Sequence, residues 1–386
     1  MADSAPKIAA EEHIESPQAI EKKAQIVADH IKRSKSFIVF TGAGISTSAG
    51  PDGAWTLRAQ GRQRTGKTIS TLQAIPTPTH MALVELQNRG YLKYLDKISE
   101  LHGNSSKESC RDCGKEFIRD FRAVATYEKT VRDHRTGRKC ARCGGVLIDS
   151  IVNFGESLPA EALQHAFHHA KRADLCLVLG SSLTVSPANE IPEITGRNKN
   201  AKLVVCNLQD TPLDKLVATR VYSRTDDLMI QVMQKLSLVI PPFILHRRLL
   251  ISVEKNNERH EMKVSGVDED NTPVTFLKSV KLVHNRRLVR SEPFIIGFRG
   301  PMESGTELKV ELEFMGHYNE PKLEIAYTYH EGENAESLYL LSYDPVTCEW
   351  KIEMADERGD GTSERSIIDL LNETTILSGG LSAAAG

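Results

Sequence analysis

Cys110-Arg111-Asp112-Cys113 and Cys140-Ala141-Arg142-Cys143 are two C-x-x-C pairs separated by 26 residues. Each pair can fold as a tight knuckle whose thiolates converge, and two knuckles complete a tetrahedral four-thiolate shell for zinc with no position open to water. A closed shell holds structure and does no chemistry, so Cys110, Cys113, Cys140 and Cys143 predict a small metal module within residues 104–150. The same spacing also suits a redox pair or a disulfide. The chain has seven cysteines, an odd number, and Met1 to Pro17 is polar and acidic with no apolar stretch. Reduced thiols in an intracellular protein are therefore expected, with Cys176, Cys206 and Cys348 in core or strand positions. His102, in Leu101-His102-Gly103, precedes the first pair by eight residues. Its imidazole titrates near neutral pH and can act as a base. His165, His168 and His169 fall in a helical stretch over 159–171 and read as a solvated face.

Chemistry of this kind needs elements to hold it. Ser16-Pro17 places a cap and a first-turn proline ahead of a helical apolar pattern over 17–35. The apolar run 36–40 then leads into Thr41-Gly42-Ala43-Gly44-Ile45-Ser46. Residues 173–179 run into Gly180-Ser181-Ser182, and 202–206 run into Asn207-Leu208, with a short helix expected over 187–195 between them. All three read as buried parallel strands whose C-terminal ends carry small or polar residues, the position where open α/β sheets bind nucleotides. A lone Gly-Ala-Gly is a weak signal; three such strand ends together are a stronger one.

The bulk composition is that of an ordinary globular chain: 386 residues, 40% hydrophobic and 26% charged. No apolar run approaches the ~18 residues of a membrane span, so no membrane partner is expected. The net charge of -2 conceals an asymmetry, since residues 251–386 hold 14 basic against 25 acidic groups. The window from Lys107 to Arg142 has the opposite balance, 11 basic against 6 acidic. A positive metal module suits nucleic acid or an acidic protein surface, or is a solvated charged face. Beyond Pro241-Pro242 the pattern changes to period two, with strands expected at 260–266, 273–284, 293–298, 308–314, 323–329, 337–343 and 349–354. That reads as an antiparallel, immunoglobulin-like sandwich. The expected organisation is a flexible segment 1–16, an α/β Rossmann-like domain 17–240 that includes the metal module, a β-rich domain 245–356 and a flexible tail 357–386.

Taken in order, these motifs resemble the sirtuins, NAD-dependent protein deacylases, and within them the nuclear class IV branch. The likeness spans roughly residues 17–240. It rests on Thr41 to Ser46, Trp55-Thr56-Leu57, Glu100-Leu101-His102-Gly103-Asn104, the four cysteines, Asn153-Phe154-Gly155-Glu156, Gly180-Ser181-Ser182-Leu183 and Asn207-Leu208-Gln209. The resemblance implies transfer of an acyl group from lysine to ADP-ribose with release of nicotinamide, using NAD and a structural zinc ion. It implies that His102 is the catalytic base. Gly42, Ala43, Gly44 and Ser46 would contact the cofactor's pyrophosphate, Gly180 and Ser181 its ribose and phosphate region, and Asn207 the adenosine end, with Trp55, Ser182 and Leu208 also in the cofactor site. Val152, Asn153, Phe154 and Gly155 would pair with an extended acyl-lysine substrate as an added strand. Acylated proteins such as histones, chromatin or nucleic acid at the basic metal module, a protein partner for the C-terminal domain and a nuclear location are the expectations that follow. Two blocks of the family pattern are absent, one where Gly50 meets Pro51 and one where Leu95 meets Asp96. Both border the family's nicotinamide pocket. The alternative is therefore a catalytically impaired sirtuin-derived scaffold that binds NAD, ADP-ribose or chromatin.

Overall fold

A computed structural model describes residues 11–49, 74–92, 98–126, 132–153, 155–256, 259–300, 302–330 and 336–355. Trp55, Phe154, the two junctions with absent family segments and the tail 357–386 lie outside these residues. The described chain divides into two compact units, one of residues up to Ser105 with Ser150–Pro242, the other of Ser106–Asp149 with the chain from Phe243 onward.

The first unit is built on a parallel sheet. Its strands are β1 (Phe37–Thr41), β6 (Leu175–Leu179), β7 (Lys202–Cys206) and β8 (Thr219–Val221), in the order β1-β6-β7-β8. Every residue of β6 is buried. Leu175, Leu177 and Leu179 join one apolar cluster, while Cys176 and Val178 join another on the opposite face. A strand covered on both sides has no polar position to alternate with, which is why this sequence reads as a continuous apolar run. The first cluster includes residues of helices α1 (Pro17–Arg33), α2 (Pro78–Asn88) and α5 (Thr225–Leu236). A further cluster holds Ala170 of α3 (Ala160–Arg172) and Ile191 of α4 (Glu190–Arg197), with Ile38 and Phe40 of β1 packed against it. Ser16 caps α1, accepting a hydrogen bond from Ala19 N–H ahead of the first-turn proline, as its sequence predicts.

The second unit holds the four-cysteine module and the C-terminal strands. The module is a small antiparallel sheet, order β3-β2-β5-β4, of β2 (Lys107–Cys110), β3 (Glu116–Ile118), β4 (Arg135–Lys139) and β5 (Val146–Asp149). The C-terminal part forms two antiparallel sheets that share one core. One, of β9 (Leu245–Asn256), β10 (Arg259–Val267), β13 (Phe294–Arg299), β16 (Glu336–Asp344) and β17 (Glu349–Ala355), has the order β13-β10-β9-β16-β17; the other, of β11 (Leu277–Leu282), β12 (Arg287–Val289), β14 (Glu307–Phe314) and β15 (Leu323–Thr328), has the order β12-β11-β14-β15. Leu308, Val310, Leu312 and Phe314 on β14 (Glu307–Phe314) all point into that core, the alternation their sequence predicts. One cysteine departs from expectation. Cys176 and Cys206 are buried, but Cys348 is exposed with φ +59°, in the turn between β16 (Glu336–Asp344) and β17 (Glu349–Ala355). The residues around it, Asp344 to Glu349, form a hairpin turn, which leaves its side chain exposed.

Candidate functional site

The C-terminal ends of β1, β6 and β7 are neighbours, and their loops interlock through the backbone. Gly42 N–H donates to Leu179 O at 2.9 Å, Gly44 N–H to Gly180 O at 2.8 Å and Gly180 N–H to Cys206 O at 2.9 Å. A Cβ on Gly44 would stand 2.7 Å from Gly180 Cα, and one on Gly42 would stand 2.5 Å from Gly180 O. Gly180 itself has φ +61°. Here glycine is required twice over, by close approach and by backbone conformation. After Gly42 the chain enters a short 3-10 helix, Ala43–Ala49, with no acidic residue in its first turn. Ala43, Gly44 and Ser46 therefore present small side chains and backbone, the surroundings a pyrophosphate tolerates. Ser181 Oγ accepts from Leu183 N–H at 3.3 Å, and the Ser182 and Thr184 hydroxyls lie 2.8 Å apart. Asn207 is held by its N–H to Val221 O at 3.2 Å and by its amide Nδ2 to Gln209 O at 3.0 Å. Leu208 follows, its carbonyl accepting from His13 N–H at 2.8 Å.

Sequence reading passed over Thr77. Its hydroxyl donates to Ile45 O at 2.9 Å while the residue caps α2, so the helix N-terminus fixes the glycine loop from outside. The signal was available as Thr77-Pro78, a cap followed by a first-turn proline.

His102 belongs to a second backbone-linked group. Leu101 is buried in the cluster against which Phe40 packs, which anchors the histidine's loop to β1 just ahead of Gly42. His102 O accepts from Val152 N–H at 3.2 Å, and Asn104 N–H donates to Ser150 Oγ at 3.0 Å. The adjoining Gly103 has φ +76°, and a Cβ there would fall 1.8 Å from Ser150 O. The imidazole is exposed, yet the protein packed around it disfavours the charged form and lowers its pKa below the ordinary value. Asn153 N–H donates to Glu156 Oε2 at 2.8 Å, and Gly155 has φ +87°. Thus Val152 is tied directly to the histidine's loop, and Asn153 beside it also accepts from Glu156 N–H at 3.1 Å. His165 and His168 are exposed on α3, as a solvated face requires, whereas His169 is half-buried with its Nδ1 turned inward.

In the second unit the four cysteines converge. Their sulfur atoms all lie within 4.8 Å of one another, with Cys110 and Cys143 3.5 Å apart and Cys113 and Cys140 3.8 Å apart. Tetrahedral Zn–S bonds of about 2.3 Å set sulfurs about 3.8 Å apart, so the cluster fits one zinc ion. The two knuckles are built alike. Gly114 N–H donates to Cys110 O at 3.0 Å and Gly144 N–H to Cys140 O at 2.8 Å, and the two glycines have φ +71° and +76°. Backbone N–H groups of Cys113 and Asp112 hold the Cys110 thiol down to about 7. Although Gly145 N–H favours the Cys143 thiolate, the neighbouring Cys110 and Cys113 thiols push Cys143 up to about 12. Four thiolates this close need a cation between them.

Interlocked glycine loops at adjoining parallel strand ends, a histidine whose charged form is disfavoured on a loop anchored beside β1, and a four-cysteine cluster define a nucleotide-dependent enzyme class with a metal-stabilised module. Residues 62–187 match the model described as the Sir2 family. The NAD-dependent protein deacetylase SRT1 of Arabidopsis thaliana is 32% identical over 356 residues, covering 78% of this chain and 74% of that protein. SRT1 of Oryza sativa subsp. indica is 34% identical over 317 residues, covering 73% of this chain and 64% of that protein. Sirt6 of Drosophila melanogaster is 31% identical over 264 residues, covering 61% of this chain and 82% of that protein. The chain belongs to the sirtuin family.

Proposed function

We propose that this chain is an NAD-dependent protein-lysine deacetylase that transfers the acyl group from lysine to ADP-ribose and releases nicotinamide. The observation that carries this reading is the glycine interlock of Gly42 and Gly44 with Gly180 at adjoining strand ends. It packs the two loops backbone to backbone, with small residues at the strand ends where the cofactor's phosphates would lie. NAD, when bound, supplies an electrophilic ribose carbon with nicotinamide as its leaving group.

Gly42, Ala43, Gly44 and Ser46 bind the pyrophosphate, and Trp55 belongs to the same cofactor site. Gly180, Ser181 and Ser182 face ribose and phosphate, and Asn207 and Leu208 face the adenosine end. Val152, Asn153, Phe154 and Gly155 take the acyl-lysine peptide as an added strand, reading mainly its backbone. His102 accepts a proton from a ribose hydroxyl. Its neutral form is favoured by desolvation, so it is in the base state at neutral pH. Cys110, Cys113, Cys140 and Cys143 hold a structural zinc ion. The nucleus is the compartment of this reading, with histones among its substrates. Exposed Arg111, Arg132, Lys139 and Arg142 on the zinc module offer a face to chromatin or other acidic partners.

A second reading is favoured by one observation in the sequence, the absence of family segments at Gly50/Pro51 and Leu95/Asp96. It is a scaffold that keeps NAD or ADP-ribose binding without turnover. Nicotinamide release from NAD with an acetyl-lysine peptide separates the two. Deacetylation predicts release that falls at least about a hundredfold in His102→Ala, the scale of a lost general base. Equal background in both proteins would support the scaffold.

A further inference from the structure

We infer that Arg220, on β8, is a positioning residue that shapes the 207–209 loop for the adenosine end of the cofactor. This inference rests on the NAD reading above. Its side chain is 14% exposed, and its guanidinium is used in every direction. Nη1 donates to Asn207 O at 3.0 Å and to Val221 O at 2.8 Å, Nη2 donates to Gln209 O, and Nε donates to Asp214 Oδ1 at 3.1 Å. The flat face lies on Tyr222, with Cζ 3.9 Å from the ring centroid, and the Tyr222 hydroxyl donates to Asp210 Oδ1 at 2.7 Å. Asp214 in turn accepts from Thr211 N–H at 3.1 Å and from its hydroxyl at 2.6 Å.

One planar fork thus holds the carbonyls of both residues that flank Leu208, together with the carboxylate that fixes the turn beyond. The carbonyl between them, of Leu208, accepts from His13 N–H at 2.8 Å. With the carbonyls of Asn207, Leu208 and Gln209 all engaged by protein, the conformation of the loop that ends β7 is set by these bonds. Gln209 is 8% exposed, and its amide Nε2 has no hydrogen-bond partner among the described residues. A buried donor without a partner, on the loop that ends β7, is the kind of group a bound nucleoside satisfies. Lysine cannot replace this arginine, because a point ammonium cannot reach three carbonyls and a carboxylate from one plane.

The test uses the full chain and Arg220→Lys, with ADP-ribose as the calorimetric probe, and steady-state kinetics with NAD and an acetyl-lysine peptide. Loss of two or more charge-assisted bonds predicts ADP-ribose binding about tenfold weaker and a KM for NAD about tenfold higher. The KM for peptide and kcat should stay within about twofold, a split that general loosening of the fold would not produce. A folded Arg220→Lys protein that binds ADP-ribose as the parent does would overturn the inference, and so would an equal loss in peptide KM. If Arg220→Lys does not fold, Asp214→Asn removes the charge that steers the fork. About threefold weaker ADP-ribose binding is then expected, and unchanged binding overturns the inference. A parent chain that fails to bind ADP-ribose removes the NAD reading itself, a result distinct from parent binding with unaffected variants.

Discussion

His102 illustrates how surroundings tune one residue. The protein around the ring lowers its pKa by desolvation, so protonation is harder in the folded chain than in the unfolded one. The folded state binds fewer protons, and the histidine's contribution to stability is present above the ordinary value of about 6.5 and is lost as pH falls below it. Activity follows the same sign. The acid limb of kcat/KM is expected to be centred below about 6.5, and a limb centred above that value would contradict the assignment of His102 as base. At Gly44 the constraint is steric. A methyl group would press on Gly180 Cα at 2.7 Å, so Gly44→Ala is expected to cost about 1–3 kcal/mol by overpacking and to weaken NAD binding, measurable by denaturant titration and calorimetry. Residue type made these positions legible: histidine beside a glycine, and glycines at a strand end. Arg220 was not legible as a site residue, and Thr77 was legible only as a helix cap. Nothing in Ala218-Thr219-Arg220-Val221 states that the arginine folds back under a loop more than ten residues away.

Elements were legible where burial leaves a periodic trace. Strands β6 and β7 are continuous apolar runs because both their faces are covered, and β14 alternates because one face meets solvent. Strand β9 (Leu245–Asn256) was missed. It is central, paired with both β10 (Arg259–Val267) and β16, yet its first half is crowded with His246, Arg247 and Arg248. Arg247 is placed there by an ion pair with Asp120 at 2.6 Å and by its position over Phe276, 5.3 Å from the ring centroid. A tertiary contact thus licenses a charge that the strand pattern alone would reject. The metal knuckles were the most legible element, because C-x-x-C followed by glycine encodes the turn locally. Their prediction is about one zinc ion per chain, lost in Cys140→Ser together with the protease resistance of residues 106–149. Metal analysis that finds the parent chain folded and zinc-free would count against it.

On the scale of the whole molecule, opposite charges in the two halves of the sequence find a partial explanation within one unit. Lys115, just past the first knuckle, pairs with Asp268 and Asp270 at 2.8 Å each, and its side chain is 17% exposed. The turn after β10 therefore neutralises part of the basic metal module. More of that charge is turned inward, where Arg119 and Arg138 bind the buried Glu108 at 2.7 and 2.8 Å. Sequence charge overstated the free positive surface, since it cannot show which groups face each other. Lys115→Met is expected to destabilise the second unit by roughly 1–3 kcal/mol, because two carboxylates lose their shared cation in a partly buried setting. Thermal unfolding of the zinc-loaded protein reads this, and an unchanged midpoint would mean that the pair is screened by water. Acyl transfer by this chain is the activity on which every site assignment depends. Its most direct test is mass spectrometry of the products formed from NAD and an acetyl-lysine peptide by the zinc-loaded chain. Acetylated ADP-ribose and deacetylated peptide are expected in equal amounts. Folded, zinc-loaded protein that binds ADP-ribose yet yields no acetylated ADP-ribose would contradict it.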